Sequence, residues 1–347
     1  MEKGFELNKV TKGLRFAIIL SLFISAVLIL FTMDGSSLNE ALTGVSPVVI
    51  PFLFIMIILN WVFAGLRLKI LLTTIGGRLT LLDSIVVYLA GAFISNVTPF
   101  ATGGGPFQIY FLHKKGVNIG KASTVIVTQF ILRIFFFGIA SFIFLVFFNQ
   151  AISPGVVPPY LFYLAFGLGF LFAVFLIIFS LVPAATERFL ELIFKINRLR
   201  SFFQNSYRAK KLLVKARKEL RDFHASLDLL GKYKGRLLLA GLCTVFYWST
   251  LFMIIPLTLK GLGLQPYYFR SYVMQTIFYL ILPFMPTPGA SGIAEIGFAS
   301  IFVAFIPGSL IGLVTFIWRF ISFYIILLIG GFFAFREIGW KRSMKDG

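Results

Sequence analysis

The chain has 347 residues, of which 59% are hydrophobic and only 13% are charged, and its formal net charge is +19. Its mean hydropathy is +0.94. This composition, with repeated long apolar runs, excludes an ordinary soluble domain and predicts an all-α polytopic membrane protein. Because the positive charges lie between the apolar runs, they indicate orientation in the membrane and attraction to anionic lipids. We expect no nucleic-acid partner.

Charge sets the predicted topology. Lys and Arg concentrate in the N-terminal tail, in 186–236 and in the C-terminal tail, whereas segment 34–46 carries only Asp34 and Glu40. By the positive-inside rule, both termini and 186–236 are cytoplasmic. No small-residue cleavage site follows the basic start, so we expect a retained first helix. The apolar runs lie at 14–33, 47–66, 80–97, 122–148, 160–183, 237–259, 267–285, 291–306 and 309–335.

Prolines and glycines break two of these apolar regions. Neither break can continue a helix, and irregular backbone at membrane depth is tolerated only where it is buried in protein or lines a wet cavity. The piece 106–112 is too short to cross a core of about 30 Å at about 1.5 Å per residue. We therefore predict a re-entrant hairpin at 80–113 and a second hairpin at 267–306, for which two full crossings are the alternative. The candidate site residues in the breaks are Thr98, Pro99, Thr102, Gly103, Gly104, Gly105 and Gln108, then Pro286, Thr287, Pro288, Gly289, Gly292 and Glu295.

The two halves of the chain match at a single sequence offset of 187, which aligns position 61 with position 248. Charge counting places them in opposite orientations, which is the inverted-topology plan of many secondary transporters. We predict a first repeat at 1–159, the first helix of a second repeat at 160–185, a cytoplasmic segment at 186–236 and the rest of the second repeat at 237–347. The matched pairs include Trp61–Trp248, Gly76–Gly263, Pro99–Pro286, Gly105–Gly292 and Gln108–Glu295, with Arg133–Arg319 after one deletion.

The segment 186–236 carries one apolar helical stripe from Ala209 to Leu230, and its other faces are basic. A basic amphipathic helix is typical of a segment that lies on a membrane surface. The alternative is a helical hairpin packed on the cytoplasmic face of the protein.

The ionisable residues most firmly inside the apolar runs are Glu295, Arg133 and Arg319. A charge at the bilayer centre costs about 2.5–3.5 kcal/mol on insertion scales, so such groups usually face a cavity or a partner. One hypothesis is that all three line a central cavity, where arginine pairs with a lipid phosphate and Glu295 binds an amine or a proton. The alternative is a structural Glu–Arg pair that locks two helices together. Gln108 would offer a neutral amide in the mirrored hairpin.

The glycines of the first break have two interpretations. Exposed backbone N–H groups beside a half-helix can bind an anion, or small residues let a hairpin pack tightly. The run lacks the Lys-Ser/Thr of a nucleotide loop, so we expect no nucleotide. Thr98, Thr102 and Thr287 could donate a hydrogen bond to a head group, or they could form hydrogen bonds with nearby backbone groups.

No pattern predicts a catalytic or metal site, and we expect neither a cofactor nor a metal. His113 and His224 lie far apart, and no Cys/His/carboxylate spacing is typical of a metal site. The lone Cys243 can form no intramolecular disulfide. Asp34 and Glu40 lie in the first external loop, where some membrane glycosyltransferases have a catalytic acid; the alternative is a short solvated loop on the outer face.

The two Pro/Gly motifs, with Glu295, the Arg133 helix and the late Arg319, resemble the flippase-like membrane proteins that share the transmembrane region of lysylphosphatidylglycerol synthase. The resemblance covers nearly the whole chain. It implies a multi-pass protein of the bacterial or archaeal cytoplasmic membrane, associated with translocating lipids that include aminoacylated phosphatidylglycerol. The chain ends soon after its last helix, so the lipid is expected to come from a separate synthase.

These observations predict a lipid flippase. A polar head group would enter a central cavity between the two broken hairpins while the acyl chains stay in the bilayer. The partners would be anionic or aminoacylated phospholipids. The alternatives are an intramembrane lipid-modifying transferase, with Glu295 or Asp34 as acid/base, and a scaffold that presents lipid to a synthase.

Overall fold

The structure is a computed structural model that describes residues 7–32, 46–147 and 207–343, together with the single residues 167, 171 and 178. The described residues form helices joined by short turns, and they include no strand. The helices are α1 (Leu7–Thr32), α2 (Val49–Thr74), α3 (Leu81–Asn96), α4 (Gly104–Lys114), α5 (Ile119–Phe147), α6 (Tyr207–Lys232), α7 (Lys234–Phe252), α8 (Ile254–Gly261), α9 (Tyr268–Ile281), α10 (Ile293–Phe302), α11 (Ile311–Arg319) and α12 (Ile325–Ser343).

Five stretches of the described residues are long and apolar enough to cross a membrane. They agree with five of the predicted apolar runs, and the predicted run 160–183 lies outside the described residues. The chain is thus an all-helical, multi-pass membrane protein. The stretches are Thr11–Thr32, Val49–Thr74, Ile119–Ser141, Lys234–Gly261 and Gly308–Glu337.

Helices α2 and α8 end in the same way, at positions that the predicted repeat makes equivalent. A glycine follows each end in the left-handed region, with φ of 76° at Gly76 and 71° at Gly263. A glycine there closes the helix by returning a backbone N–H to a carbonyl in its last turn. The closing bonds are Gly77 N–H to Leu72 O and Leu264 N–H to Leu259 O, both 2.9 Å.

The Pro/Gly breaks form two turns, which we name the first turn (98–103) and the second turn (287–292). Their first four residues have similar backbone conformations, whereas Gly103 and Gly292 differ, with φ of −76° and 86°. Phe100 has φ 55° and ψ 19°, and Gly289 has φ 60° and ψ 19°. The next residues, Ala101 and Ala290, both have φ 52°. The turns touch, because the Phe100 N–H donates to Met285 O (3.2 Å) and short 3-10 segments of both turns pack together.

The turns correspond at an offset of 189, not 187, because Gly103 and Gly292 are the equivalent residues that precede α4 and α10. Helices α3 and α9, however, begin at Leu81 and Tyr268, which keep the offset of 187. The second half therefore holds two extra residues between the start of its helix and its turn. The predicted pairing of Gln108 with Glu295 is wrong for this reason.

Helix α6 is the amphipathic helix that the stripe in 186–236 predicts. It packs on the start of α5, where the Gly120 N–H donates to Glu219 Oε2 (2.8 Å) and Asn118 Nδ2 donates to Asp222 Oδ2 (2.9 Å). These contacts fit the alternative in which the segment packs against the rest of the protein.

Helices α11 and α12 are joined by a π-helical segment, Phe320–Tyr324. Such segments usually occur singly and often lie at functional sites. This one directly follows Arg319. Trp318, which is buried, stacks on Phe298 of α10 with ring centroids 4.7 Å apart. The packing fixes where Arg319 emerges from α11.

Candidate functional site

A cavity of about 950 Å³ lies beside the first turn. Most of its lining is apolar, and helices α2, α3, α4, α5, α7 and α9 all contribute to it. Clefts of about 300–1,000 Å³ with an apolar lining and a few polar groups are typical of ligand sites. The polar lining residues are Asn60, Arg67, Tyr88, Ser95, Asn96, Thr102, Gln108, Gln129, Arg133, Tyr247, Trp248, Tyr279 and Ser322.

Two arginines line this cavity. Arg133, on α5, is partly buried, and its guanidinium lies 4.5 Å from the centroid of the Phe130 ring. Arg67, on α2, is 7% exposed. It donates from Nη1 to Thr244 Oγ1 (3.3 Å) and lies 5.2 Å from the Tyr247 ring centroid. Among the described residues neither arginine has a carboxylate partner within salt-bridge distance.

Arg67 is a site residue that the sequence analysis missed. The predicted apolar run ends at 66, which leaves Arg67 just outside it. Helix α2 continues to Thr74, and two turns of this helix therefore follow Arg67. The available signal was the apolar residues Leu68, Leu71 and Leu72, which continue the helix pattern and are fully buried.

Several buried donors on the cavity lining have no hydrogen-bond partner. They are Arg67 Nε, Gln129 Nε2 and Trp248 Nε1. Buried polar groups in native proteins are nearly always paired with protein or water. Because the three nitrogen atoms are themselves fully buried, they lie in the packed wall around the cavity.

The second turn holds a buried ion pair. Arg319 Nε donates to Glu295 Oε1 at 2.7 Å, and the exposed fractions of these residues are 3% and 0%. Glu295 Oε2 accepts from the Gly292 N–H (2.7 Å), which caps the start of α10. Ser21 of α1 also donates its hydroxyl to Glu295 Oε1. The carboxylate thus has three hydrogen-bond donors, of which Arg319 is also its counter-charge.

Arg319 connects the pair to the turn itself. Its Nη2 donates to Gly289 O (3.0 Å), and its guanidinium lies 4.2 Å from the centroid of the Phe323 ring. The Ser21 hydroxyl lies 2.7 Å from the Tyr324 hydroxyl. Helix α1, the second turn and the π-helical segment are therefore held together through one charged cluster.

The structure divides the predicted site residues into two groups. Thr102, Gly105, Gln108 and Arg133 line the cavity. The others do not contribute to its lining. The sequence hypothesis placed all three intramembrane charges in one cavity, but only Arg133 is there, because Arg319 and Glu295 satisfy each other. A role for any of these residues in binding substrate stays a prediction. The remaining predicted residues are Thr98, Pro99, Gly103, Gly104, Pro286, Thr287, Pro288, Gly289, Gly292, Glu295 and Arg319.

Thr98 in the first turn and Gly104 just after it have structural contacts with α3 and the local backbone. Thr98 Oγ1 donates to Ile94 O (2.8 Å) and accepts from the Gly103 N–H (3.1 Å). Gly104 packs so closely on α3 that an added Cβ would overlap Ser95 and lie 2.8 Å from Gly91 O. This contact fits the tight-packing interpretation of the glycines.

The histidines, the cysteine and the acids named in the sequence analysis form no catalytic or metal-binding cluster among the described residues. His113 Nδ1 lies 3.0 Å from Val117 O, and Cys243 is a free, partly buried thiol. Among the described residues, no three His, Cys, Asp or Glu side chains lie close enough to hold a metal ion. Asp34 and Glu40 lie outside the described residues.

These features define a multi-pass helical membrane protein with two broken turns and a cavity beside the first of them. The model of the lysylphosphatidylglycerol synthase transmembrane region matches residues 18–330. The chain belongs to this family.

Two curated archaeal relatives are similar to the chain. A UPF0104 membrane protein of Archaeoglobus fulgidus is 27% identical over 285 residues, which cover 80% of this chain and 83% of the relative. A UPF0104 membrane protein of Methanocaldococcus jannaschii is 29% identical over 350 residues, which cover 98% of each. No solved structure matches the chain significantly.

Proposed function

We propose that this protein moves a polar-headed membrane lipid across the cytoplasmic membrane through the cavity beside the first turn. The observation that carries the proposal is the cavity itself, about 950 Å³ in volume, with an apolar lining and two arginines. An apolar lining suits acyl chains, and cationic side chains suit a phosphate. The description of the family, which names a lipid synthase, points to the same class of substrate.

The proposal includes an inverted repeat with two re-entrant hairpins. The matched helix ends and the matched turns support a repeat. The lengths of the arms support re-entry: α3 has 16 residues, α4 has 11 and α10 has 10. At about 1.5 Å per residue none of them reaches across a core of about 30 Å. Broken helices at corresponding places in two repeats are typical of transporter binding sites.

We propose membrane phospholipids as partners, and a separate synthase as the source of the lipid. The protein acts as a transporter rather than an enzyme in this proposal. Three donors, including the positively charged Arg319, already occupy the Glu295 carboxylate, which disfavours its use as the acid/base of a transferase.

Reconstitution tests the proposal. The full chain is placed in liposomes with a fluorescent phosphatidylglycerol, and its movement between leaflets is followed by reduction of the outer-leaflet dye. We expect faster loss of the protected signal than in empty liposomes. The Arg133→Gln variant should be slower, and Arg78→Gln, on an exposed residue outside the cavity lining, should match the wild type.

The same liposomes separate the alternatives. Mass spectrometry of the recovered lipid would reveal covalent change if the protein is a transferase. Lipid that is neither changed nor moved between leaflets would support the alternative in which the protein is a scaffold for a synthase. Either outcome contradicts the transport proposal.

A further inference from the structure

The charge of the cavity lining is entirely positive. Arg67 and Arg133 both line it, and its described lining includes no Asp, Glu, Lys or His. The two arginines are near enough for the charge of one to act on the other. Ionisable side chains inside a membrane protein usually pair with an opposite charge or serve a substrate pathway. Two arginines without a carboxylate indicate that the opposite charge comes with a ligand.

The hydrogen-bonding groups of the two lining arginines have the same preference. A guanidinium donates hydrogen bonds and cannot accept one. A phosphate offers several acceptor oxygens and suits the fork of an arginine. An ammonium group offers only donors, and it would meet two like charges here.

The buried carboxylate beside the second turn does not change the positive charge of the cavity lining. Glu295 is fully buried, is paired with Arg319 and does not line the cavity. An amine on a substrate head group would therefore find no free carboxylate among the described residues of the cavity. The sequence hypothesis that Glu295 binds such an amine loses its geometric basis.

We infer that the cavity selects lipids with an anionic phosphate-ester head group and uncharged substituents, in preference to aminoacylated lipids, and that Arg67 and Arg133 are its specificity residues. This inference rests on the proposed function, because it assumes that the cavity takes a lipid. It adds Arg67 to the site and chooses between the two head-group classes that the family resemblance left open.

Competition binding tests the inference on the purified full chain in detergent. A fluorescent phosphatidylglycerol is the probe, and the competitors are unlabelled phosphatidylglycerol, phosphatidylcholine and lysylphosphatidylglycerol with identical acyl chains, and free glycerol 3-phosphate. We expect phosphatidylglycerol to compete at about tenfold lower concentration than lysylphosphatidylglycerol, which is the size of one charge-assisted hydrogen bond. Free glycerol 3-phosphate should compete much more weakly than the lipid.

Matched variants assign the preference to the arginines. Arg67→Gln and Arg133→Gln should each reduce the preference to about threefold or less, whereas Arg133→Lys should keep most of it because the charge remains. Arg78→Gln should retain the wild-type preference. If Arg67→Gln does not fold, the two Arg133 variants and the competition series on the wild type still test whether the cavity prefers phosphatidylglycerol.

The outcomes are distinguishable from failure of transport itself. Equal competition by lysylphosphatidylglycerol overturns the inference, even if liposomes show lipid movement. Equal competition by free glycerol 3-phosphate overturns the choice of a lipid. A phosphatidylglycerol preference that depends on Arg67 and Arg133, without movement in liposomes, supports the inference and contradicts only the transport proposal.

Discussion

The first and second turns share the backbone conformation of their first four residues but have opposite surroundings. The first turn borders a cavity, where Arg133 has no carboxylate partner among the described residues. At the second turn, Arg319 is paired with Glu295 and both are almost completely buried. One Pro/Gly pattern followed by an arginine therefore serves two purposes. In one half it stabilises the fold, and in the other it leaves a cation available.

The difference depends on a single carboxylate. Glu295 lies in the first turn of α10 and also caps its start. At the structurally equivalent position of the first half, α4 has Pro106. Proline is accepted in the first turn of a helix but offers no charge and no acceptor side chain. The arginine of the first half is consequently left without a partner of this kind.

The largest predicted effect comes from breaking the buried pair. Arg319→Met leaves the Glu295 charge uncompensated, and we expect a loss of about 3–5 kcal/mol in stability. Thermal unfolding of the purified protein in detergent measures it. The double variant Glu295→Met/Arg319→Met should recover part of the loss, because replacing a whole buried pair is less costly. A single variant as stable as the wild type would remove the structural role given to the second turn.

Two neighbouring glycines test the packing of the first turn. Gly104→Ala would place a Cβ against Ser95 and 2.8 Å from Gly91 O, whereas at Gly105 the nearest atom is Ile126 Cγ2 at 3.5 Å. We expect Gly104→Ala to cost about 1–3 kcal/mol, as overpacking does. Gly105→Ala should be neutral or stabilising by about 0.5–1 kcal/mol, because alanine is the better helix former. Equal melting temperatures for both variants would contradict the close approach of α4 to α3.

Ser21 tests whether α1 helps to hold the second turn. Ser21→Ala removes one of the three donors to Glu295, and we expect a loss of about 1–2 kcal/mol. The control is Ser300→Ala on the exposed face of α10, whose hydroxyl bonds only to Ile296 O; it should change stability by less than about 0.5 kcal/mol. The unfolding midpoints of the two variants are compared. Equal midpoints would show that Ser21 does not help to hold the second turn.

The smallest effect concerns an exposed ion pair, in contrast with the buried one. Lys115 Nζ lies 2.5 Å from Asp83 Oδ1 and joins the end of α4 to the start of α3. The hydrogen bonds from Lys115 and Thr80 lower the pKa of Asp83. Its stabilisation is therefore present above the ordinary Asp pKa of about 3.9 and is lost as pH falls through the lower, folded value.

Because the pair is largely exposed, we expect Asp83→Asn to cost about 0–1 kcal/mol near neutral pH. The variant should also lose the part of the pH dependence of the unfolding free energy that comes from Asp83. Unfolding measured in detergent between about pH 3 and pH 7, a range chosen around that ordinary pKa, makes the test. An acid dependence identical to that of the wild type would show that this pair contributes nothing measurable.

Much of the helical framework follows from local sequence. Long apolar runs indicated the five candidate membrane spans, and a periodic stripe indicated α6. Proline and glycine marked both turns, because these residues decide backbone conformation locally. A structural ion pair between glutamate and arginine was one of the two predicted alternatives, because opposite charges inside a membrane protein usually pair with each other.

Residue pattern alone was enough to identify a multi-pass helical membrane protein of its family, with two interrupted segments near buried charges, because hydropathy, helix breakers and charge counts act through neighbouring residues. The folded arrangement was needed to show that Arg319 is neutralised, that Arg67 and Arg133 share a cavity, and that the halves change register by two positions. Each of these depends on distances between residues that are far apart in the chain, such as Ser21 and Glu295, and pattern in a single sequence carries no measure of such distances.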